Sequence, residues 1–409
     1  MALGTLLIKE ETGFSDEDVL QNIVENPYMQ YFIGLHEFTT TPPFAATTMV
    51  YFRKRLTAEM LAEINEMIFG PVKPADHDPG SGSVDVESGK NKGVLMLDAT
   101  CAPADITYPT DTGLLNEARE KLEEIIDELH PETGEASKPR TYRRKARKEF
   151  LGFSKSKKKS GKQIRITIRK QLGYVRRDLG HIDKMLKKVD ASVLPERLSH
   201  QLETIRTIYE QQKYMYENRT HKVEERIVSI SQPYVRPIVR GKKNAPVEFG
   251  AKVSVSLVDG YAFVDKIGWD NYSEAELLPQ AVEDYRQRYG CYPEAVLADK
   301  LYRNRENLRF CKEKGIRLSG PRLGRPPKNA VKDPHENADS AKRNWIEGKF
   351  GEGKTRYGLG RLFARLKNTC ETAIMAAFIV MNLNRKLRII FRVWFERVFF
   401  SRLLSFGTC

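Results

Sequence analysis

Two short apolar runs, each closed by an aspartate, constrain the fold of this chain more than any other feature. VLMLD occupies 94–98 and AVLAD occupies 295–299. A long helical pattern follows the first run, and 247–269 holds two strand-like runs around the turn Asp259-Gly260, a strong hairpin signal. The order strand, helical interval, hairpin, helix, strand and helix predicts an α/β fold, with a mixed sheet interrupted by a helical insertion.

Shifts in composition divide the chain into segments. Residues 1–70 follow helical spacing, with Ser15 as a helix cap, so we predict an all-α N-terminal domain. Its two short helices around Gly13 fit either a DNA-contacting helix-turn-helix or a plain helical bundle. The other predicted segments are a linker at 71–92, a sheet-bearing core at 93–137 and 229–384, a basic helical insertion at 138–228, and a basic amphipathic tail at 385–409. We expect the tail to pack on the core rather than to lie on a membrane.

Positive charge is concentrated in one part of the chain. The whole chain carries a formal charge of +14, while residues 138–188 hold 20 Lys and Arg against three acids. That block has a net charge of +17, which leaves the rest near −3. Such a block is typical of a surface that binds a polyanion, with nucleic acid favoured over an anionic membrane. The candidate DNA contacts in the block are Arg143, Arg144, Lys157, Lys158 and Lys159.

Cysteine usage and hydropathy exclude several classes of protein. The five cysteines are odd in number and widely spaced, without a CxxC pair, so neither a zinc site nor a disulfide framework is predicted. The N-terminus lacks the basic region of a secretory signal. The longest charge-free apolar run, at 372–384, has 13 residues, fewer than the roughly 20 that span a bilayer. We therefore expect a cytoplasmic protein with no membrane partner.

A third acid joins the two strand-end aspartates as a candidate ligand. On a predicted helix, Arg343, Glu347 and Lys354 are separated by four and seven residues and share one face. Together with Asp98 and Asp299, Glu347 would supply the hard oxygen ligands that Mg²⁺ prefers, with Mn²⁺ as an alternative ion. Each aspartate taken alone also fits a helix cap or a turn former.

Two further motifs concern phosphate. GKFGEGKT at 348–355 satisfies the P-loop pattern, but no apolar strand precedes it, and Gly358 and Gly360 follow where a helix is required. We therefore predict no nucleotide cofactor. GRPPK at 324–328 resembles the Arg-Pro hooks that enter the minor groove, which makes Arg325 a candidate DNA contact, although basic Pro-rich loops are also common between domains.

Several phrases give the chain a family resemblance. They are FRKRL at 52–56, LDATCAPADITYPTD at 97–111, LLNEAR at 114–119, PEAVLADKLYRN at 293–304, and RNWIEGKFGEGKTRYGLGR at 343–361. With these phrases the chain resembles a bacterial insertion-sequence transposase of the DDE class, from the group named after insertion sequence five. The resemblance implies an RNase H-like catalytic core preceded by a small helical domain.

The resemblance also implies a site and a reaction. Asp98, Asp299 and Glu347 would hold two divalent ions that cleave DNA at the element ends and transfer the freed strands to target DNA. Arg343 and Lys354 match the cations of the group signature, whereas the signature's tyrosine is replaced by Ser340. The implied partners are the inverted-repeat ends, target DNA and a second copy of the chain on DNA, in the bacterial nucleoid.

Two alternatives stay open at the level of sequence. One is a nuclease that uses the same acids without joining strands, and the other is a transposase-derived DNA-binding protein without catalysis. The resemblance begins close to Met1, where relatives carry more sequence, which predicts a shortened end-binding domain.

Overall fold

The computed structural model describes residues 1–70, 90–189, 191–239, 247–320 and 335–405. The chain forms two compact units, which are described separately. The first unit combines residues 1–105 with 251–409, and the second comprises residues 106–250.

The N-terminal part of the first unit is helical, as predicted. Its helices are α1 Ala2–Thr12, α2 Asp16–Glu25, α3 Pro27–Phe32, α4 Thr48–Arg55 and α5 Ala58–Phe69. Gly13 ends α1 in the left-handed conformation (φ 69°), and the Ser15 side chain accepts a hydrogen bond from the Asp18 amide to begin α2. Apolar side chains from α1 to α4 pack into one small core, which includes Leu6, Ile8, Val19, Ile23, Ile33 and Met49.

The second unit is a helical assembly. Its helices are α6 Asp111–Leu129, α7 Arg143–Lys155, α8 Gly161–Leu186 and α9 Glu196–Glu217. Ser160 and Gln163 form a capping box at the start of α8. Apolar side chains of α6, α8 and α9 share one core, so α6 belongs with the insertion although we predicted it within the sheet-bearing segment 93–137.

A mixed sheet of six strands confirms the predicted fold class. The strands are β1 Val94–Pro103, β2 Arg236–Val239, β3 Val247–Val258, β4 Tyr261–Gly268, β5 Ala295–Ala298 and β6 Arg317–Leu318. Their order is β2, β3, β1, β5, β6, with β4 on β3. β1 pairs with β5 and β5 with β6 in parallel, whereas β3 pairs with β2 and β4 in antiparallel fashion.

The predicted hairpin lies between β3 and β4. Asp259 and Gly260 both have positive φ, 50° and 80°, which is the geometry that an Asp-Gly pair tolerates in a two-residue hairpin turn. Val258 and Tyr261 face each other across the turn. The Cα of Gly260 also lies against the guanidinium of Arg385, so any side chain at this position would collide with it.

Four helices complete the first unit. They are α10 Leu278–Tyr289, α11 Arg305–Glu313, α12 Glu336–Arg356 and α13 Lys367–Ser405. α12 lies against β1 and β5, and the buried half of α13 contacts α1, α5 and β4.

Residue 385, where we expected a separate tail to begin, lies inside α13. Between residues 385 and 396, the described side chains of that tail, large apolar residues are exposed instead of packed on the core: Leu387, Ile389, Ile390, Phe391, Val393, Trp394 and Phe395. Within the described residues, every helix is too short or too polar to cross a bilayer.

An acid buried in the second unit has no hydrogen-bond partner. Asp178 of α8 is fully buried, and neither of its carboxylate oxygens has a partner among the residues described. Burial raises the pKa of Asp178 to about 7; the charge of Glu123 acts in the same direction, and Arg119 and Arg177 oppose it. The helical core therefore favours the protonated carboxyl.

This buried carboxyl makes stability depend on pH. The folded-state pKa lies above the ordinary value of 3.8, so protonated Asp178 contributes stability that is complete below about pH 4 and is lost as the pH rises through about 7. Asp178→Asn, which carries no charge, should match the wild type at low pH and exceed its free energy of unfolding at pH 8 by more than about 1 kcal/mol. Denaturant titrations at pH 5 and pH 8, followed by circular dichroism, measure this difference.

Asp183 supplies the matched control. It is on the same helix, half-exposed and paired with Arg206 at 2.5 Å. Asp183→Asn should change stability by the same amount at both pH values. An equal shift for Asp178→Asn at both pH values would contradict the assignment.

Candidate active site

The pairing of β1 with β5 places two acids side by side. The strands are parallel, with Leu97 opposite Ala298, so the next residues, Asp98 and Asp299, lie at the same edge of the sheet. Neighbouring strands are about 4.8 Å apart, which brings the two carboxylates close together. The carboxyl ends of parallel strands are where α/β sheets commonly bind ligands.

Asp98 is half-buried, and its ionisation is disfavoured. Burial raises the pKa of Asp98 to about 6, and the negative charges of Glu274 and Asp299 act in the same direction. Two groups oppose this shift: the Ala99 amide, which donates to Asp98 Oδ1 at 2.8 Å, and the positive charge of Arg343. A nearby cation would therefore stabilise the ionised form of Asp98.

Arg343 on α12 links the sheet edge to the third acid. Its Nη1 lies 3.1 Å from Asp299 Oδ1, and its Nη2 lies 3.5 Å from Glu347 Oε1. Glu347 follows Arg343 by one helical turn, so one guanidinium faces both carboxylates. Asp299 is also held by the Lys300 amide, which donates to its Oδ1 at 2.6 Å. Lys354 is on the same helix, seven residues after Glu347.

The structure adds a fourth carboxylate that we did not predict. Glu274 forms an ion pair with Lys252 of β3 at 2.8 Å, and both side chains are mostly buried. The charge of Glu274 contributes to the raised pKa of Asp98. Lys252 and Glu274 are 22 positions apart in the sequence. No local pattern predicts the pair, which forms only in the folded chain.

The donor set of this edge suits a hard divalent cation. Carboxylate oxygens are the ligands that Mg²⁺ and Mn²⁺ take in proteins, and the guanidinium of Arg343 already lies as a cation between Asp299 and Glu347. Within the described ranges, no three His, Cys, Asp or Glu side chains are close enough together to hold one ion. The three predicted acids are related through the β1–β5 register and through Arg343, without forming a cluster of three among the described residues.

The predicted basic surface is on the second unit. Arg144, Arg147, Lys148 and Lys155 of α7 line a shallow groove of about 430 Å³. Arg143 instead pairs with Asp127 at 2.7 Å. The predicted contacts Lys157, Lys158 and Lys159 are exposed in the connection between α7 and α8, and the Lys159 ammonium lies 5.1 Å from the Phe153 ring. Arg325 lies outside the described residues.

Comparison with protein families gives two matches. A model described as a transposase DDE domain matches residues 296–384, and a model described as a transposase domain (DUF772) matches residues 1–55. The first match includes Asp299, Arg343 and Glu347. Asp98 lies outside both matched ranges.

Comparison with curated proteins gives a relative in Rhizobium meliloti. It is the uncharacterized protein ORF8 in the nfe locus, 33% identical over 122 residues. These residues are 30% of this chain and 55% of that protein, so the match spans about half the length of the relative. No solved structure matches the chain.

The fold and the matches agree with each other. A mixed α/β sheet in which Asp98 and Asp299 follow the last paired residues of two adjacent parallel strands, with a further acid on a later helix, is consistent with an RNase H-like DDE domain. Both family models are transposase models, and the two matched ranges indicate an insertion-sequence transposase with a DDE domain.

Substitution of the three acids tests their assignment to the site. We expect Asp98→Ala, Asp299→Ala and Glu347→Ala each to slow strand cleavage by at least about a thousandfold, because each change removes a charge that would hold metal at the reacting phosphate. Binding to element ends should change little, since these acids repel phosphate. Cleavage of a labelled element end and a gel-shift titration measure the two effects.

Glu336→Ala is the matched control, because Glu336 is an exposed acid in the first turn of the same helix. It should cut like the wild type. If one of the three test variants also cuts at the wild-type rate with Mg²⁺, that acid has been wrongly assigned to the site.

Proposed function

We propose that the protein is a transposase that cleaves DNA at the ends of an insertion sequence and joins the freed ends to target DNA. The observation that supports this proposal is that Asp98 and Asp299 follow paired residues of β1 and β5 and that Arg343 contacts both Asp299 and Glu347. The spacing of Arg343, Glu347 and Lys354 supports membership of the insertion-sequence-five group.

We assign Asp98, Asp299 and Glu347 the role of holding divalent metal, most readily Mg²⁺, with Mn²⁺ as a substitute. When bound, the metal lowers the pKa of a water or hydroxyl nucleophile and neutralises charge on the phosphate. The chain's own contribution is position and charge. In this assignment the register of β1 on β5 holds the two aspartates, and Arg343 links Glu347 to Asp299.

Arg343 and Lys354 are assigned to DNA phosphate. The guanidinium of Arg343 is 28% exposed and faces the same edge as the acids, so a DNA strand that enters the site meets a cation there. A charge-assisted hydrogen bond to phosphate would orient the strand for in-line attack. Two element ends must be brought together before joining, which favours a homodimer on DNA in the cytoplasm.

The placement of GKFGEGKT argues against nucleotide binding. Residues 348–355 lie inside α12, which runs from Glu336 to Arg356. A P-loop needs free backbone amides in a loop before a helix, whereas amides within a helix donate to carbonyls one turn earlier. Lys354 is therefore assigned to DNA instead of to ATP.

Cleavage and joining in the absence of nucleotide test the proposal. Wild-type protein should cut a labelled element end with Mg²⁺ alone and should join the freed 3′ end to a target duplex. Lys354→Ala should slow both steps by about tenfold or more, because a charge-assisted phosphate contact is lost, and Lys354→Arg, which keeps the charge, should retain most of the rate.

Two results would count against this function. Strict dependence on ATP would contradict the mechanism. Cutting without any joined product, under conditions where both DNA partners are bound, would favour the nuclease alternative.

A further inference from the structure

A basic pocket lies on the side of α12 away from Glu347. It has a volume of about 420 Å³, and α12, α13 and the turn at Gly260 form its walls. The side chains that matter for its chemistry are Trp345, Lys349, Glu352, Arg385, Arg388 and Arg392. Trp345 and Lys349 are two and six residues from Arg343, so they point away from the acids on the same helix.

Positive charge in this pocket exceeds the available negative charge. Four cations line it against one acid, Glu352, which Arg388 contacts at 3.0 Å and Lys349 at 3.7 Å. The Nε of Arg385 is buried without a hydrogen-bond partner among the described residues. Arg392 is 81% exposed and lies 3.4 Å from Glu396, one turn further along its own helix.

Lys349 adds a buried positive charge to this pocket. Its side chain is 91% buried, and its Nζ donates to the Met381 carbonyl at 3.3 Å. Its charge adds to those of Arg385 and Arg388 in the same pocket. An anion in the pocket would relieve the repulsion among these cations.

Two glycines of α12 open a path between the pocket and the acids. A Cβ at Gly348 or Gly351 would meet nothing within 4 Å. Glycine destabilises a helix interior relative to alanine, so packing within the chain gives no reason for either residue. Gly353 differs, because a Cβ there would collide with Leu359. Open glycines next to a reactive face allow a ligand backbone to approach closely.

We propose that a DNA strand leaving the carboxylate edge crosses α12 over Gly348 and Gly351 and places a backbone phosphate in the pocket, against Arg385, Arg388 and Arg392. The proposal rests on the proposed transposase function. Trp345 is 62% exposed and forms a wall of the pocket, where it contacts the adjoining sugar. Duplex DNA is the ligand, because the opening joins the pocket to the face that carries Glu347.

Replacing the two glycines by alanine should raise the stability of the protein and lower its affinity for DNA. Gly348→Ala and Gly351→Ala should raise the unfolding midpoint by about 2–4 °C, since alanine favours the helix. Each should weaken binding of an element-end duplex by about tenfold, because the new methyl group holds the strand away from the helix. Thermal unfolding and fluorescence anisotropy without divalent metal measure the two quantities.

Thr207→Ala is the control. Thr207 is exposed within α9, outside the basic block at 138–188, and alanine favours a helix over threonine. This change should raise the midpoint and leave DNA affinity unaltered. If the α12 variants also bind like the wild type, the strand does not cross at these glycines and the proposal is wrong.

Arg392 tests the phosphate contact itself. Arg392→Ala should reduce the slope of log affinity against log salt by about 0.9, the value for one lost duplex phosphate contact, and Arg392→Lys should restore it. An unchanged slope would contradict the assignment. Inorganic phosphate at about 20 mM should not displace the duplex beyond the displacement seen in a control of the same ionic strength. Additional displacement would identify a site for free phosphate instead.

Failure of this inference can be separated from failure of the proposed function. Wild-type protein that does not cut an element end contradicts the transposase mechanism. Wild-type protein that cuts the end, while the α12 and Arg392 variants bind like it, contradicts only the pocket assignment.

Discussion

Parallel hydrogen bonding joins β1 to β5 along four residues, and the chemistry of the site depends on this register. Asp98 and Asp299 each follow the last paired residue of the two strands, so the pairing of Leu97 with Ala298 sets Asp98 beside Asp299. A slip of one residue would turn the two carboxylates to opposite faces of the sheet. α12 lies against both strands, and its Arg343 links Glu347 to Asp299. Strand pairing and this helix contact relate the three acids without gathering them into one cluster among the described residues.

Electrostatics explains why this edge would attract a cation and a phosphate. Burial disfavours ionisation of Asp98, and the negative charges of Glu274 and Asp299 act in the same direction. Arg343 offsets part of that repulsion by contacting Asp299 and Glu347 together. The same guanidinium is partly exposed, so it can also meet a strand of DNA. On the far side of α12 the balance is reversed, since cations outnumber acids around Trp345.

Local patterns predicted most of the fold, and long-range contacts account for what they missed. Buried parallel strands have continuous apolar sequences, so 94–98 and 295–299 could be predicted as strands. The hairpin could be predicted because few sequences besides Asp-Gly tolerate two positive φ values at a turn. The apolar face of α6 predicts that the helix packs against other elements but not which ones. Its packing in the second unit was therefore not predicted. The pairing of Lys252 with Glu274 and the open space at Gly348 exist only in the folded sheet and helix.

Iron-mediated cleavage of the polypeptide tests the central claim most directly, because Fe²⁺ in a magnesium site generates hydroxyl radicals that cut nearby backbone. With ascorbate and peroxide, the account predicts cuts close to Asp98, Asp299 and Glu347, and excess Mg²⁺ should suppress all three. Mass spectrometry of the fragments would locate them. Cuts that cluster elsewhere in the chain, with none near the last residues of the β1–β5 pairing, would contradict the assignment of this edge as the metal-binding active site.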